Sequence, residues 1–356
     1  MASLAQKALA QQLAQEIRTA GPIGVDRFMA AALGHYYGTR DPLGAAGDFT
    51  TAPEVSQVFG EILGLWIADR WQRLGGPLPL HLVELGPGRG TLMADMLRAL
   101  KVVPGLRRAV EVHLVEMSPA LRARQAETLG RSHPDVTPHW HATLAEVPAG
   151  PLLLVANEFF DALPIRQWVR AGDGWRERRI GLDAAGDFTF TPGAVGAPPV
   201  PPPVEAPDGA LFETCEPALA IAAEIGRRLV AAPGAVLLID YGHGTTAVGD
   251  TLQAVRAHEF APVLAEPGEA DLTAHVDFAA LGRALADAGA NVAPLALQGS
   301  FLIEHGAEHR LEALLRGKDE DAALVLKSGV RRLLDPMEMG RLFKVLAATS
   351  PGCSPT

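Results

Sequence analysis

Glu84-Leu-Gly-Pro-Gly-Arg-Gly90 follows an apolar run, Leu80 to Leu85, and precedes a helix-like segment, Thr91 to Leu100. At Gly86, Gly88 and Gly90 the backbone is free to turn sharply and to approach a ligand where a Cβ would clash. The N-terminus of the following helix favours an anionic group. By itself, such a turn serves NAD, serves another adenosyl ligand, or is only structural. The spacing narrows the choice: it is GxGxG with Thr91 next, whereas the dinucleotide fingerprint is GxGxxG, whose last glycine packs the helix on the strand.

From Leu80 onward, short apolar runs alternate with helical segments, as in a parallel sheet with crossover helices. Further strands are expected at Val110 to Val115, near Val136 to Trp140, at Pro151 to Ala156 and at Ala235 to Asp240. Pro151 to Ala156 is so nearly pure apolar that both its faces must be buried. Helices are expected at Pro119 to Leu129 and Pro217 to Ala231. Asn291 to Leu297 and Ser300 to Glu304 read as a closing pair of strands, and the remainder as helix. After Phe160 the alternation breaks into antiparallel strands (Ile165 to Arg170, Trp175 to Gly181, Phe188 to Thr191), then a stiff proline-rich connector, Pro198 to Pro207. Upstream of the sheet the chain reads as helical, with Val55, Val58, Phe59, Ile62, Leu65 and Trp66 as a buried stripe. The fold class is therefore α/β: a doubly wound, mostly parallel seven-stranded sheet with helical additions at both ends and an antiparallel insertion. The expected division is a helical region at 1–76 packing on the core, a core at 77–305 with its insertion at about 164–210, and a helical region with a short tail at 306–356.

A formal net charge of −10 argues against a general nucleic-acid binder, which needs a positive field to release counterions. It suits a basic partner such as an arginine- or lysine-bearing peptide, or simply serves solubility. Cys215 and Cys353 stand in no metal-ligand or CxxC spacing, so neither a disulfide framework nor a metal site is expected. No stretch approaches the roughly 18 uninterrupted apolar residues of a membrane span. Residues 1 to 19 lack the apolar core of a signal peptide, which makes the cytoplasm the default compartment.

Glu84 places a carboxylate two residues before the first glycine, where a pyrophosphate would be repelled and a cationic, zwitterionic sulfonium amino acid attracted. Glu116 closes the second strand, where an acid accepts hydrogen bonds from both ribose hydroxyls in NAD and adenosylmethionine proteins alike. The fourth strand runs into Asn157-Glu158-Phe-Phe-Asp161-Ala-Leu-Pro164, at the sheet edge where ligands of such folds bind. Glu158 and Asp161 have the chemistry to pair with a guanidinium or amine, hold it in line and take up its proton; the alternative for Asp161 is to cap the following turn. His243 and His275 read first as structural strand-end residues. Trp140 either stacks on an adenine or fills the core.

Gly47-Asp-Phe-Thr-Thr-Ala-Pro-Glu-Val-Ser-Gln57, Glu84 to Thr91, Val115-Glu-Met-Ser-Pro119, Asn157 to Pro164, Ile239-Asp-Tyr-Gly242, Asp250-Thr-Leu-Gln253 and Asp271-Leu-Thr-Ala-His-Val-Asp277 together resemble the MidA family. This is the family of the mitochondrial complex I assembly factor described as a protein arginine methyltransferase. The resemblance runs from about residue 10 to Leu346. It implies a class I, Rossmann-like methyltransferase fold and S-adenosyl-L-methionine as cofactor. For the acceptor it implies an arginine of a protein partner, a complex I subunit in the mitochondrial members, and for the compartment the mitochondrial matrix if the source is eukaryotic. By motif, the methionine end of the cofactor falls near Glu84, Gly86, Gly88 and Gly90, the ribose near Glu116, and Asn157 close by. The Thr50-Thr51-Ala-Pro53 loop either covers the cofactor or caps the next helix. Departing from the general class I pattern, the third strand is followed by His139-Trp-His-Ala-Thr143 rather than by an acid for the adenine amine. The insertion and helical flanks also allow a second reading, an assembly or binding factor whose cofactor pocket is regulatory or vestigial.

Overall fold

The computed structural model describes residues 4–39, 51–103, 105–172, 174–203 and 205–354. The chain forms two compact units, one of residues 50–159, 221–242 and 281–356, the other of 1–49, 160–220 and 243–280.

The first unit is built on a central sheet. Along the sheet's main path the strands in chain order are β1 (Leu80–Leu85), β2 (Val110–Val115), β3 (His139–His141), β4 (Leu152–Asn157), β5 (Gly234–His243), β6 (Asn291–Val292) and β7 (Phe343–Thr349), and Ala296–Leu297 also pairs with β7. They lie side by side as β3-β2-β1-β4-β5-β7-β6. All the pairings from β3 to β5 are parallel, whereas β7 runs antiparallel to β5 and β6 antiparallel to β7. Every residue of β1 and β4 is buried; β4 is apolar from Leu152 to Ala156, as burial of both faces requires, whereas β1 also buries His81 and Glu84. From β1 the chain winds outward to β2 and β3, then returns to β4 on the other side. Between β1 and β4 the connections leave in opposite directions, which opens a crevice at the strands' carboxyl ends.

Helix Gln57–Arg73 covers this sheet, with Ser56 as N-cap accepting a bond from Val58 N at 3.3 Å. Val58, Phe59, Ile62, Leu63, Trp66 and Ile67 enter the core with Leu82, Leu97, Val155 and Leu237. Leu65, expected in that stripe, is 38% exposed, because Leu63 and Ile67 hold the buried face instead. The same helix meets Thr91–Leu100 at Gly64, where a Cβ would stand 2.7 Å from the Met96 carbonyl oxygen and 2.9 Å from its Cα.

The closing edge differs from the sequence reading. Ser300 to Glu304 is not a strand but part of helix Gln298–Glu304, whose Gly299 packs so closely that a Cβ would lie 2.5 Å from the Leu334 carbonyl oxygen. The last strand is β7, in a stretch expected to be helical. Its Lys-Val-Leu-Ala-Ala run carries good helix formers, but seven registered pairs with β5, from Ala235↔Thr349 to Tyr241↔Phe343, override that propensity.

In the second unit, helices Leu4–Ala20 and Val25–Thr39 share one core with the insertion: Leu13, Ile17, Phe28 and Met29 pack with Ile165, Ile180 and Leu272. The antiparallel strands Arg166–Ala171, Gly174–Leu182, Phe188–Gly196 and Leu211–Thr214 form its main sheet, joined at one edge by Ile23–Gly24. Shared apolar faces thus group the N-terminal helices with the insertion, so the compact units interleave along the chain instead of following it in three blocks. Among the described residues, no helix is long and apolar enough to cross a membrane.

The contact at Gly64 yields a test. Gly64→Ala puts a methyl against backbone that cannot swing aside, and such overpacking costs about 1–3 kcal/mol. Urea unfolding should register that loss, and an unchanged midpoint would refute the close approach.

Candidate functional site

β1 ends at Leu85, and the chain then turns through three glycines in the left-handed region, Gly86 (φ 63°), Gly88 (51°) and Gly90 (81°). A Cβ at Gly86 would lie 2.9 Å from Phe159 Cδ2, and one at Gly90 3.3 Å from Gln125 Cα. Gly90 is also the N-cap of helix Thr91–Leu100, and it brings no side chain to its free amides. Glu84, two residues before the loop, is 2% exposed. Among the described residues its Oε2 has no hydrogen-bond partner. Burial pushes its carboxyl up to about 8, against the pull of the Met93 amide.

At the end of β2, Glu116 Oε1 accepts from Ser118 N at 2.8 Å, and Oε2 from Gln125 Nε2 at 3.3 Å. Burial raises this carboxyl too, offset in part by those bonds. Gln125 is wholly buried and ties the edge together. Its Nε2 also donates to Gly88 O at 2.8 Å, and its Oε1 accepts from Trp140 Nε1 at 2.8 Å. Sequence reasoning missed Gln125. Its signal is a polar residue in the buried stripe Leu121, Gln125, Leu129 of helix Pro119–Ser132. Trp140 packs its ring on the core and spends its indole N–H on Gln125.

At the end of β4, Asn157 is buried, with Oδ1 lacking a partner and Nδ2 donating to Glu158 Oε1 at 3.1 Å. Glu158 has φ 51°, a conformation that is uncommon without glycine. Its amide donates to Ile239 O at 2.9 Å, and its Oε1 also accepts from Ala52 N at 2.9 Å. The short helix Ala52–Val55 is thereby held at this edge, and Glu54 Oε1 binds it to the glycine loop's helix by accepting from Thr91 Oγ1 at 2.6 Å. Pro53 is buried in its first turn, and Thr51 stands at the N-cap without a side-chain capping bond. Thr50 lies outside the described residues. Asp240, fully buried on β5, accepts from Phe159 N at 3.2 Å and Tyr241 N at 2.9 Å, which braces the turn after Glu158.

Asp161 belongs to the second unit. Its carbonyl accepts from Ala274 N at 3.0 Å. Its charge adds to burial and Asp271 in pushing the Tyr37 phenol well above its usual range, while that phenol donates to Asp271 Oδ1 at 3.0 Å. Of the strand-end histidines, His243 closes β5 with its Nδ1 2.8 Å from Thr245 O, and the His275 amide donates to Thr251 Oγ1. Asp277 caps the next helix by accepting from Ala280 N. Within the first unit, then, Gly88, Gly90 and Glu116 meet at Gln125, Gly86 approaches Phe159, and Ala52 and Asn157 both donate to Glu158.

Comparison with known proteins agrees with this architecture. Residues 62–295 match the S-adenosyl-L-methionine-dependent methyltransferase family Methyltransf_28. The mitochondrial "Protein arginine methyltransferase NDUFAF7" of Danio rerio is 35% identical over 95% of this chain and 86% of its own length. Its Drosophila melanogaster homologue is 37% identical over 95% of this chain and 84% of its own. A crystal structure from Burkholderia thailandensis with S-adenosyl-homocysteine bound superposes with TM-score 0.85 at 31% identity, covering 98% of this chain and 94% of that one. On this family match, and on relatives of such identity and coverage, the chain belongs to the S-adenosyl-L-methionine-dependent methyltransferase family.

Proposed function

We propose that this methyltransferase modifies an arginine side chain of a protein partner, with Glu158 as the acid that receives the guanidinium. The observation that carries this reading is the conformation of Glu158. A glutamate at positive φ costs on the order of 1–3 kcal/mol, yet two donors, Ala52 N and Asn157 Nδ2, fix one of its oxygens at the carboxyl edge of β4. Such strain concentrates where a side chain must be aimed. The relatives named as protein arginine methyltransferases and the net charge of −10 support a cationic acceptor. A respiratory complex I subunit is the narrower candidate implied by the family resemblance. The same resemblance assigns the mitochondrial matrix if the source is eukaryotic.

The residues suit the cofactor. When bound, S-adenosylmethionine supplies an electrophilic methyl group on a sulfonium. Gly86, Gly88 and Gly90 turn the backbone through the left-handed region, and at Gly86 a Cβ would press on Phe159. The buried, unpartnered Glu84 Oε2 and Asn157 Oδ1 are acceptors for an ammonium or hydroxyl donor. Glu116, held by Ser118 and Gln125, would take the ribose hydroxyls, and Thr51 and Pro53 would cover the site. Glu158 orients the acceptor nitrogen by accepting its N–H bonds. It also disperses the charge and takes up the proton released on transfer.

Glu158→Gln keeps the shape and removes the charge. Labelled-methyl transfer to a lysate from cells lacking this protein should fall by about 10²-fold or more, with cofactor affinity by calorimetry unchanged. Full labelling by the variant would remove Glu158 from the reaction. Wild-type protein that binds cofactor and labels nothing would favour the assembly-factor reading.

Glu84 gives a pH signature. Its folded-state pKa, about 8, lies above the ordinary glutamate value. Its contribution to stability is therefore fully present below about pH 4.5 and is lost as pH rises through 8. Thermal unfolding without added cofactor should show that decline between pH 5 and 8, and Glu84→Gln should flatten it. An identical slope in both proteins would place the titration elsewhere.

A further inference from the structure

On the first unit's sheet, well away from the carboxyl edge, three side chains converge. His81 on β1 pairs in register with Glu111 on β2, and His113 follows Glu111 by two residues, so all three project from one face. His81 Nδ1 lies 3.0 Å from His113 Nε2 and 3.4 Å from Glu111 Oε2, while His113 Nε2 lies 4.0 Å from the same oxygen. A point equidistant from three atoms so spaced is about 2 Å from each, the length of a zinc–nitrogen or zinc–oxygen bond. Among the described residues this is the one group of three or more His, Cys, Asp or Glu with ligand atoms this close together.

We propose that His81, Glu111 and His113 bind a borderline divalent cation of the zinc class. Two imidazoles and a carboxylate are ligands that zinc takes readily, and the fourth position faces solvent through the half-exposed Glu111. The surroundings orient the ligands. His113 Nδ1 lies 2.9 Å from His141 Nε2 on β3, so His113 can donate its second N–H there and turn the Nε2 lone pair to the metal. The His113 ring is further fixed by stacking on His139 at 5.3 Å. Behind His81, Gly150 passes so closely that a Cβ would stand 2.9 Å from Nε2. His81 and Glu84 are three residues apart on β1, about 10 Å at strand rise, and so are His113 and Glu116 on β2. The metal would clamp the two strands that carry those acids without touching the methyl-transfer edge.

The test uses the full-length, tag-free chain, stripped with a chelator and titrated with Zn2+ against a chromophoric competitor. It should take up about one equivalent, and Co2+ should give the visible absorption of a low-coordinate site. Glu111→Gln alters only a half-exposed residue; it should fold normally, weaken Zn2+ by at least tenfold and abolish the cobalt band. His141→Ala should weaken binding about 10- to 100-fold through loss of ligand orientation. His309→Ala, an exposed histidine elsewhere, should bind as wild type. No binding by the wild type, or equal binding by Glu111→Gln, would overturn the proposal and leave His81, His113 and His141 as a hydrogen-bonded chain of imidazoles.

Discussion

Everything at the functional edge depends on the parallel pairing of β1 with both β2 and β4. A strand flanked on both sides and covered on both faces has no water to satisfy its backbone, so its interior must be apolar and its polar residues are pushed to its ends. Because the connections diverge between β1 and β4, those ends are not roofed by a crossover. Glu84, Glu116, Asn157 and Glu158 occupy that edge because polar groups are tolerated there and almost nowhere else along the central strands. His81, Glu111 and His113 are exceptions; Glu111 is half-exposed, and each histidine is held by another imidazole at hydrogen-bond distance.

Two buried carboxylates in the same unit show the difference between an acid that holds the fold and one that serves a ligand. Glu61 and Glu84 are each 2% exposed. Glu61 takes Arg310 through two bonds, 2.7 and 3.0 Å, with Arg98 at 3.3 Å. Its charge is compensated inside the protein. Glu84 receives one backbone amide, which leaves one oxygen unpartnered and the proton tightly held. An uncompensated buried carboxylate is destabilising by several kcal/mol, and the fold retains one beside three left-handed glycines. A cationic ligand offsets that cost by pairing with it.

The sequence disclosed what is local. Glu84 to Gly90 was legible because strand, turn and helix are contiguous, and the left-handed glycines require no distant contact to be recognised. The fourth strand was legible because Leu152 to Ala156 is an uninterrupted apolar run. What stayed hidden depends on partners far along the chain. Gln125 joins Gly88, Glu116 and Trp140, three positions on three elements, and as one amide on a helix it gave no strong signal. β7 reads as helix until β5 is beside it. The positive φ of Glu158 follows from its amide bond to Ile239 and its carboxylate bond to Ala52, separated from it by 106 residues. The grouping of the N-terminal helices with the insertion likewise rests on shared apolar faces that no linear division could express.

The histidine cluster belongs to the same class of hidden feature, and it shows why cysteine spacing is a poor guide to metals in such a sheet. Ligand motifs legible in sequence bring their residues together within one turn or one knuckle. In a parallel sheet, neighbours in space are separated by a whole crossover, here 32 residues between His81 and His113. Register replaces spacing: Glu111 is opposite His81, and alternation brings His113 onto the same face. The strands that set this register are the ones whose far ends carry Glu84 and Glu116. Any ligand fixing the relative slide of β1 and β2 at His81 and His113 therefore also fixes the separation of the two acids, since paired strands transmit displacement along their length with little give.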